Sequence, residues 1–218
     1  MSPDATIRAR AVTHRYGPVV ALDTVEIDAP ASMLVAVAGP SGSGKSTLLR
    51  LLAGLEPVQQ GTIEVDGRDI GSGRVRAARR MRRFQVAFMF AEPSRNVLLA
   101  RSVAANITWL ARWRKTTVDV DELLGRFGLD GRGHSRITDL SGGEQQRLAV
   151  ALTSVGDPPI VIADEPTSEL DHENSARVID ALLSLAAAGR TVIVASHDDL
   201  VLLAAHRVTR LRGGRVQS

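Results

Sequence analysis

Gly39-Pro40-Ser41-Gly42-Ser43-Gly44-Lys45-Ser46-Thr47 fits the pattern G-x-x-x-x-G-K-[ST]. In a loop of this kind glycines let the backbone wrap a phosphate chain, N–H groups point at the anion and the lysine reaches the terminal phosphates. Lys45 is one of only two lysines, the other being Lys115, in a chain that otherwise draws its cations from Arg. A compact ammonium fits between phosphate oxygens where a planar guanidinium does not. Ser46 is placed to put its hydroxyl on Mg²⁺.

Three further stretches carry matching chemistry. Asp164-Glu165 follows the apolar run Ile160 to Ala163, which sets two carboxylates at the end of a buried strand. There Asp164 can hold Mg²⁺, usually through water, and Glu165 can orient or deprotonate an attacking water. His197 follows the apolar run Thr191 to Ala195. By the same logic it lies at the same sheet edge, where an imidazole can donate to a terminal phosphate. Ser141-Gly142-Gly143-Glu144 opens a helix with Ser and Glu at capping-box spacing. The two glycines in its first turn make a second anion site, although an ordinary capped helix explains the same residues equally well. His14, His134, His172 and His206 read as structural.

Stepping outward from these residues, Met33 to Ala38 is a short apolar run of strand length, and Lys45 to Leu55 reads as a helix with an apolar stripe at Leu48, Leu49, Leu51, Leu52 and Leu55. That strand, loop and helix are the setting the phosphate motif needs. Thr6 to Arg10, Val25 to Asp28, Gly61 to Gly67 and Gln85 to Phe90 read as further strands, and residues 91–101 as a long loop. Residues 102–155 read as mostly helical, with breaks at 115–117 and 131–133. Strands alternating with helices imply an α/β fold with a mostly parallel sheet, and the helical block reads as an inserted subdomain.

Composition narrows the classes. Hydrophobic residues make up 44% of the chain, ample for a packed core, and the formal charge is +3. There is no cysteine, hence no disulfide or thiol chemistry, which fits a reducing compartment. No apolar stretch is long enough to span a bilayer, and Met1-Ser2-Pro3-Asp4 opens no signal-peptide pattern, so a soluble protein is expected that meets a membrane only through a partner. Arginines at 74, 76, 79, 80, 82 and 83 form the one basic run. With aromatics at 3% and none interleaved, it reads as a solvated or partner-facing helix rather than a nucleic-acid surface.

Taken together and in this order, these motifs resemble the ATP-binding domain of ABC transporters over essentially the whole chain. Leu140 to Arg147 matches the family's signature motif, Gly39 to Thr47 its Walker A loop and Ile160 to Glu165 its Walker B strand. Ser168-Glu169-Leu170-Asp171 matches the loop that speaks across the dimer, His197 the switch histidine, and Tyr16 the aromatic that stacks on adenine. The resemblance implies a P-loop NTPase core and an N-terminal antiparallel β subdomain, together about 1–90 and 156–218, with a helical subdomain about 92–155, all in one domain. It implies an ATPase at the inner face of the cell membrane, using ATP and Mg²⁺. It also implies a head-to-tail dimer, by expectation of two identical copies, with each ATP held between one copy's Walker A loop and the other's Ser141-Gly142-Gly143 turn. The helical subdomains would grip coupling helices of a membrane permease. Ala163 to Thr167 and the segment Arg95 to Ile107 look most like the lipoprotein-release, macrolide-export and cell-division type. A regulatory or non-transport ATPase is the alternative.

One position departs from the family. The strand Val86 to Phe90 normally leads into a glutamine that touches Mg²⁺ and the attacking water, and Ala91 stands there. A methyl group can do neither. Slower turnover or altered coupling is expected, with nucleotide binding kept by Lys45, Ser46 and Asp164.

Overall fold

The computed structural model describes residues 7–70, 75–168 and 170–217, and of residues 75–77 the backbone alone. Thr6, Arg74 and Glu169 lie outside the described residues, as does the start Met1-Ser2-Pro3-Asp4. The chain runs β1 (Ile7–Tyr16), β2 (Val19–Ala29), β3 (Leu34–Ala38), α1 (Lys45–Leu52), β4 (Gln60–Val65), β5 (Arg68–Asp69), α2 (Val75–Phe84) and β6 (Val86–Met89). It continues with α3 (Val103–Arg114), α4 (Val120–Arg126), α5 (Gly142–Ser154), β7 (Ile160–Asp164), α6 (His172–Ala187), β8 (Thr191–Ser196), α7 (Asp199–Ala204), β9 (Arg207–Arg212) and β10 (Arg215–Val216).

Two sheets form. One is antiparallel, in the order β2-β1-β4-β5; the other runs β10-β9-β3-β8-β7-β6, parallel except for β10. Every residue of β3, β7 and β8 is buried, as expected of strands covered on both faces. Their side chains alternate between two cores. Val35, Val37, Ile160, Ile162 and Ile193 pack with the α1 leucines and the antiparallel sheet. Leu34, Val161, Ala163, Val192 and Val194 pack with α3, α5 and α6.

This layering positions the chemistry. Ala38 pairs with Ser196 and Asp164 with Ala195, so the ends of β3, β7 and β8 are level. The phosphate loop, the two carboxylates and His197 therefore leave the sheet at one edge.

The elements differ from the sequence expectation in instructive ways. β1 and β2 are much longer than the two short strands expected and form a hairpin with register shifts near Val12 and His14. The helix after the phosphate loop stops at Leu52, because Gly54 takes a left-handed turn (φ 61°). Leu55 lies beyond it and is exposed, so it is not part of the apolar stripe. The long loop after β6 contains a short 3₁₀ turn, Pro93–Asn96. The basic run is not simply solvated. Arg82 donates to Gly54 O, and Arg83 donates to Trp113 O at 2.5 Å.

Candidate active site

The phosphate loop wraps a cavity of about 540 Å³ whose walls include Tyr16, Val20, Lys45, Glu165 and His197. Gly39 must be glycine for a physical reason. A Cβ there would stand 2.2 Å from Leu211 O and 2.7 Å from Ser43 Oγ. Pro40, Ser41 and Gly42 form the open rim, and Gly44 precedes α1 with φ 101° and no side chain to cap it. No side chain therefore caps the first turn of α1, whose Lys45, Ser46 and Thr47 line the cavity. Ser43 Oγ is buried with no hydrogen-bond partner. A loop with unmet donors around a concave space is what a phosphate chain completes.

Lys45 is 7% exposed, and its Nζ donates to Gly39 O at 2.8 Å and Pro40 O at 3.3 Å. It also lies 3.2 Å from Glu165 Oε1. The other carboxylate oxygen of Glu165 is 3.0 Å from His197 Nδ1. Glu165 therefore bridges the lysine and the histidine across the cavity wall. Its backbone is held in the left-handed region (φ 47°), an uncommon state for a side chain of this size, and its N–H donates to Ala195 O at 2.9 Å.

Ser46 Oγ donates to Asp164 Oδ1 at 3.1 Å. Burial pushes the Asp164 carboxyl above its ordinary value, against the pull of the Ser46 hydrogen bond. Among the described residues no group of three or more His, Cys, Asp or Glu side chains converges on one metal site. A hydroxyl beside a single carboxylate, open to phosphate oxygens, nonetheless suits Mg²⁺, which keeps several waters and few protein ligands.

Tyr16 lines the same cavity, and its hydroxyl donates to Glu56. Partial burial and that bond raise the phenol above its ordinary value. Glu56 also meets His14 Nε2 at 3.3 Å and Arg50 Nη1 at 3.6 Å, and the His14 ring packs edge-on against Tyr16. Nothing in the sequence flags Glu56. It lies 40 residues from the tyrosine it anchors. Thr47 also faces the cavity.

The Ser141 turn is not among the residues lining the cavity. Its capping box is complete in both directions. Glu144 N–H donates to Ser141 Oγ at 3.2 Å, and Ser141 N–H donates to Glu144 Oε2 at 2.8 Å. Arg132 pairs with Glu144 Oε1 at 2.7 Å. The Ser141 N–H and then Arg132 hold the Glu144 carboxyl below its ordinary value. Around Gly142 the space is open, whereas a Cβ on Gly143 would stand 2.9 Å from the Asn174 side chain. Asn174 accepts from Arg147 at 2.6 Å and donates to Asp171 Oδ2 at 3.0 Å. Asp171 caps α6 and does not reach the cavity. Asn174 is a second residue that no motif singles out.

Ala91 follows β6 without lining the cavity, and Glu92 does not replace the missing glutamine there. The Glu92 carboxylate accepts from Ser94 instead, while Asn96 pins Phe90 N–H and O at 2.8 and 2.9 Å.

The model of the family described as "ABC transporter" matches residues 22–168. The chain belongs to the ABC transporter family. It is an ATP-binding, ATP-hydrolysing component, and its relatives place it among subunits that drive transport. It is 39% identical to a phosphate-import ATP-binding protein, PhnC, of Mycolicibacterium smegmatis, over 97% of this chain and 85% of that one. It is 36% identical to a macrolide export ATP-binding/permease protein, MacB 1/2, of Paracoccus denitrificans, over 96% of this chain and 32% of that one. The macrolide-export type expected from Ala163 to Thr167 is thus among the relatives of this ABC ATPase, and import ATPases match at similar identity. Its fold matches the ATP-binding cassette MJ0796, solved as a dimer in a post-hydrolysis state with ADP and Pi. The TM-score is 0.88 at 26% identity, covering 97% of each chain.

Proposed function

We propose that this ATPase binds Mg-ATP between two copies arranged head to tail and drives a membrane permease from the inner face of the cell membrane. The observation that carries this reading is Glu165, strung between Lys45 and His197 on the wall of the phosphate cavity. The loop Gly39, Pro40, Ser41, Gly42, Ser43, Gly44 and Thr47 would surround the phosphates, with Lys45 as their point charge. Entry of a phosphate draws Lys45 off the Glu165 carboxylate, which is then free to take the proton of an attacking water. His197 donates to the terminal phosphate. Ser46 and Asp164 would hold Mg²⁺, which would supply charge neutralisation for the phosphates. Tyr16, steadied by Glu56, offers its ring to the base.

Ser141, Gly142, Gly143 and Glu144 do not line their own chain's cavity, and the related cassette is dimeric. Both facts support a site completed by a second copy, with Asp171 and the adjoining loop at the seam. The core and β subdomain (about 1–90 and 156–218) would carry the nucleotide, and the helical block (about 92–155) would meet the permease. Among the described residues no helix is long and apolar enough to cross a membrane. That is consistent with attachment through the permease, and no nucleic-acid role is proposed.

The test is steady-state ATP hydrolysis by wild type and Glu165→Gln. Loss of a general base lowers the rate about 10²-fold or more. Equal rates would remove the enzymatic assignment of Glu165 and favour a regulatory module that binds ATP without turning it over. Ala91 gives that second reading its one observation.

A further inference from the structure

A carboxylate in the first turn steadies a helix but spoils it as an anion site, because both draw on the same partial positive charge. α1 avoids this conflict, having no acidic residue in its first turn. α5 does not avoid it, since Glu144 closes its capping box. In the paired arrangement proposed above, that turn meets the nucleotide phosphates of a second copy. A bare carboxylate there would repel them.

Glu144 is held by more than its capping role requires. Oε2 accepts the Ser141 N–H, which already completes the box. Oε1 takes two further bonds, from Arg132 Nε at 2.8 Å and from Arg132 Nη2 at 2.7 Å. The Glu144 side chain is 14% exposed, while that of Arg132 keeps 47% of its surface in solvent. What the pair shows to solvent is mainly guanidinium. Arg132 is brought there by a turn with anchors of its own. Gly131 before it takes a left-handed φ of 72°, and Ser135 N–H donates to Arg132 O at 2.9 Å. The same turn receives the first N–H groups of α3, Ala104 N–H on Gly133 O at 2.9 Å and Val103 N–H on Ser135 O at 3.1 Å. An ion pair this exposed adds little to stability, so its anchoring is better explained by what it does to the charge of the turn.

We propose that Arg132 is a positioning residue for the shared nucleotide site: it cancels the Glu144 charge, so that the start of α5 keeps its carboxylate cap and still accepts the phosphates bound by a second copy. This rests on the paired reading above. Arg132 acts through Glu144, by turning the carboxylate aside and balancing it. Without Arg132 the turn carries an unbalanced negative charge towards a polyphosphate, and the two copies close less readily.

The test uses the Glu165→Gln chain, in which ATP survives long enough for the pair to be measured. Sedimentation in the presence of Mg-ATP gives the dimer dissociation constant. At low salt, Arg132→Gln raises that constant about tenfold, the scale of an unbalanced charge at an interface. At about 1 M salt the difference closes to within about threefold, since charges are then screened over about 3 Å. Arg132→Lys stays within about threefold of the parent chain, because both bonds of Arg132 run to a single oxygen that an ammonium can also hold. Arg132→Gln combined with Glu144→Gln returns to within about threefold of the parent, because no charge is left to balance. A double variant as weak as Arg132→Gln alone would assign Arg132 a structural role, and a single variant as tight as the parent would assign it none at the seam. Either result overturns the proposal while the paired reading stands. A parent chain that forms no dimer with Mg-ATP overturns the paired reading and this proposal with it.

Discussion

Two helices of this ABC ATPase begin at glycines, and they treat their first-turn N–H groups in opposite ways. α1 follows Gly44, which offers no side chain, and Ser43 Oγ beside it is buried without a partner. α5 follows Ser141, whose hydroxyl and backbone N–H exchange hydrogen bonds with Glu144, while Arg132 closes over the carboxylate. The first helix start is electrically unfinished and awaits an anion. The second is nearly complete within its own chain. What α5 presents outward is chiefly bare backbone at Gly142, where the surrounding space is open. In the proposed dimer one helix N-terminus would serve the nucleotide as the main cradle and the other as a preformed lid, with side-chain capping separating the two uses.

The largest expected effect tests the unfinished helix. Lys45→Met removes the one ammonium in the phosphate cavity and frees Glu165 from its 3.2 Å partner. In the proposed site it lowers ATP hydrolysis by about 10²–10³-fold, the scale at which a preorganised charge on a transition state is lost. Hydrolysis within tenfold of wild type would mean that the backbone donors of the loop suffice, and the contrast with α5 would collapse.

The lid is broken by shape rather than charge. Gly143→Ala places a methyl 2.9 Å from the Asn174 side chain, which Arg147 and Asp171 hold in place. The first turn of α5 must shift by a few tenths of an ångström. Hydrolysis at saturating ATP is expected to fall about tenfold, short of the hundredfold that a full ångström of misplacement costs. Nucleotide binding to the isolated monomer should stay as in wild type, and a matching loss there would show that the two helices serve one site within a single chain. Gly142→Ala, in open space, is the control and should cost less.

These contrasts also show what the sequence could and could not reveal. The loop around Lys45, the strand ends at Asp164 and His197 and the Ser141 capping box were readable, because each needs particular residue types at short, fixed spacing. Glu56, Asn174 and Arg114 were not. Glu56 touches Tyr16 across 40 residues, and Asn174 touches Arg147 across 27. Such pairs exist only once the sheets and helices have been packed. Arg114 stands just before the break expected at 115–117, where nothing in the sequence marks it as buried, and only the packing of α3 against Val86 and Gly156 buries it. Leu55 failed in the other direction. The apolar stripe ran past Gly54, whose left-handed backbone ends the turn that would have carried it inward.

The smallest effect is a difference of sign between the carboxylates that serve the two helices. The folded chain holds the Asp164 proton more tightly than the unfolded chain does, because burial raises its carboxyl above the ordinary 3.8. Stability from this group is therefore present at acid pH and falls as pH rises through that window. At neutral pH, without nucleotide, Asp164→Asn raises the thermal midpoint, and the gain fades towards the acid end. Glu144 behaves in reverse. Its folded value lies below the ordinary 4.5, so its contribution is present above that value and is lost as pH falls through the lowered one. Glu144→Gln lowers the midpoint at neutral pH and changes little at the acid end. Denaturation of the two variants across the acid range measures both slopes. Slopes of the same sign would mean that the helix starts are equally satisfied, and that the distinction between an open cradle and a finished lid does not hold in the free chain.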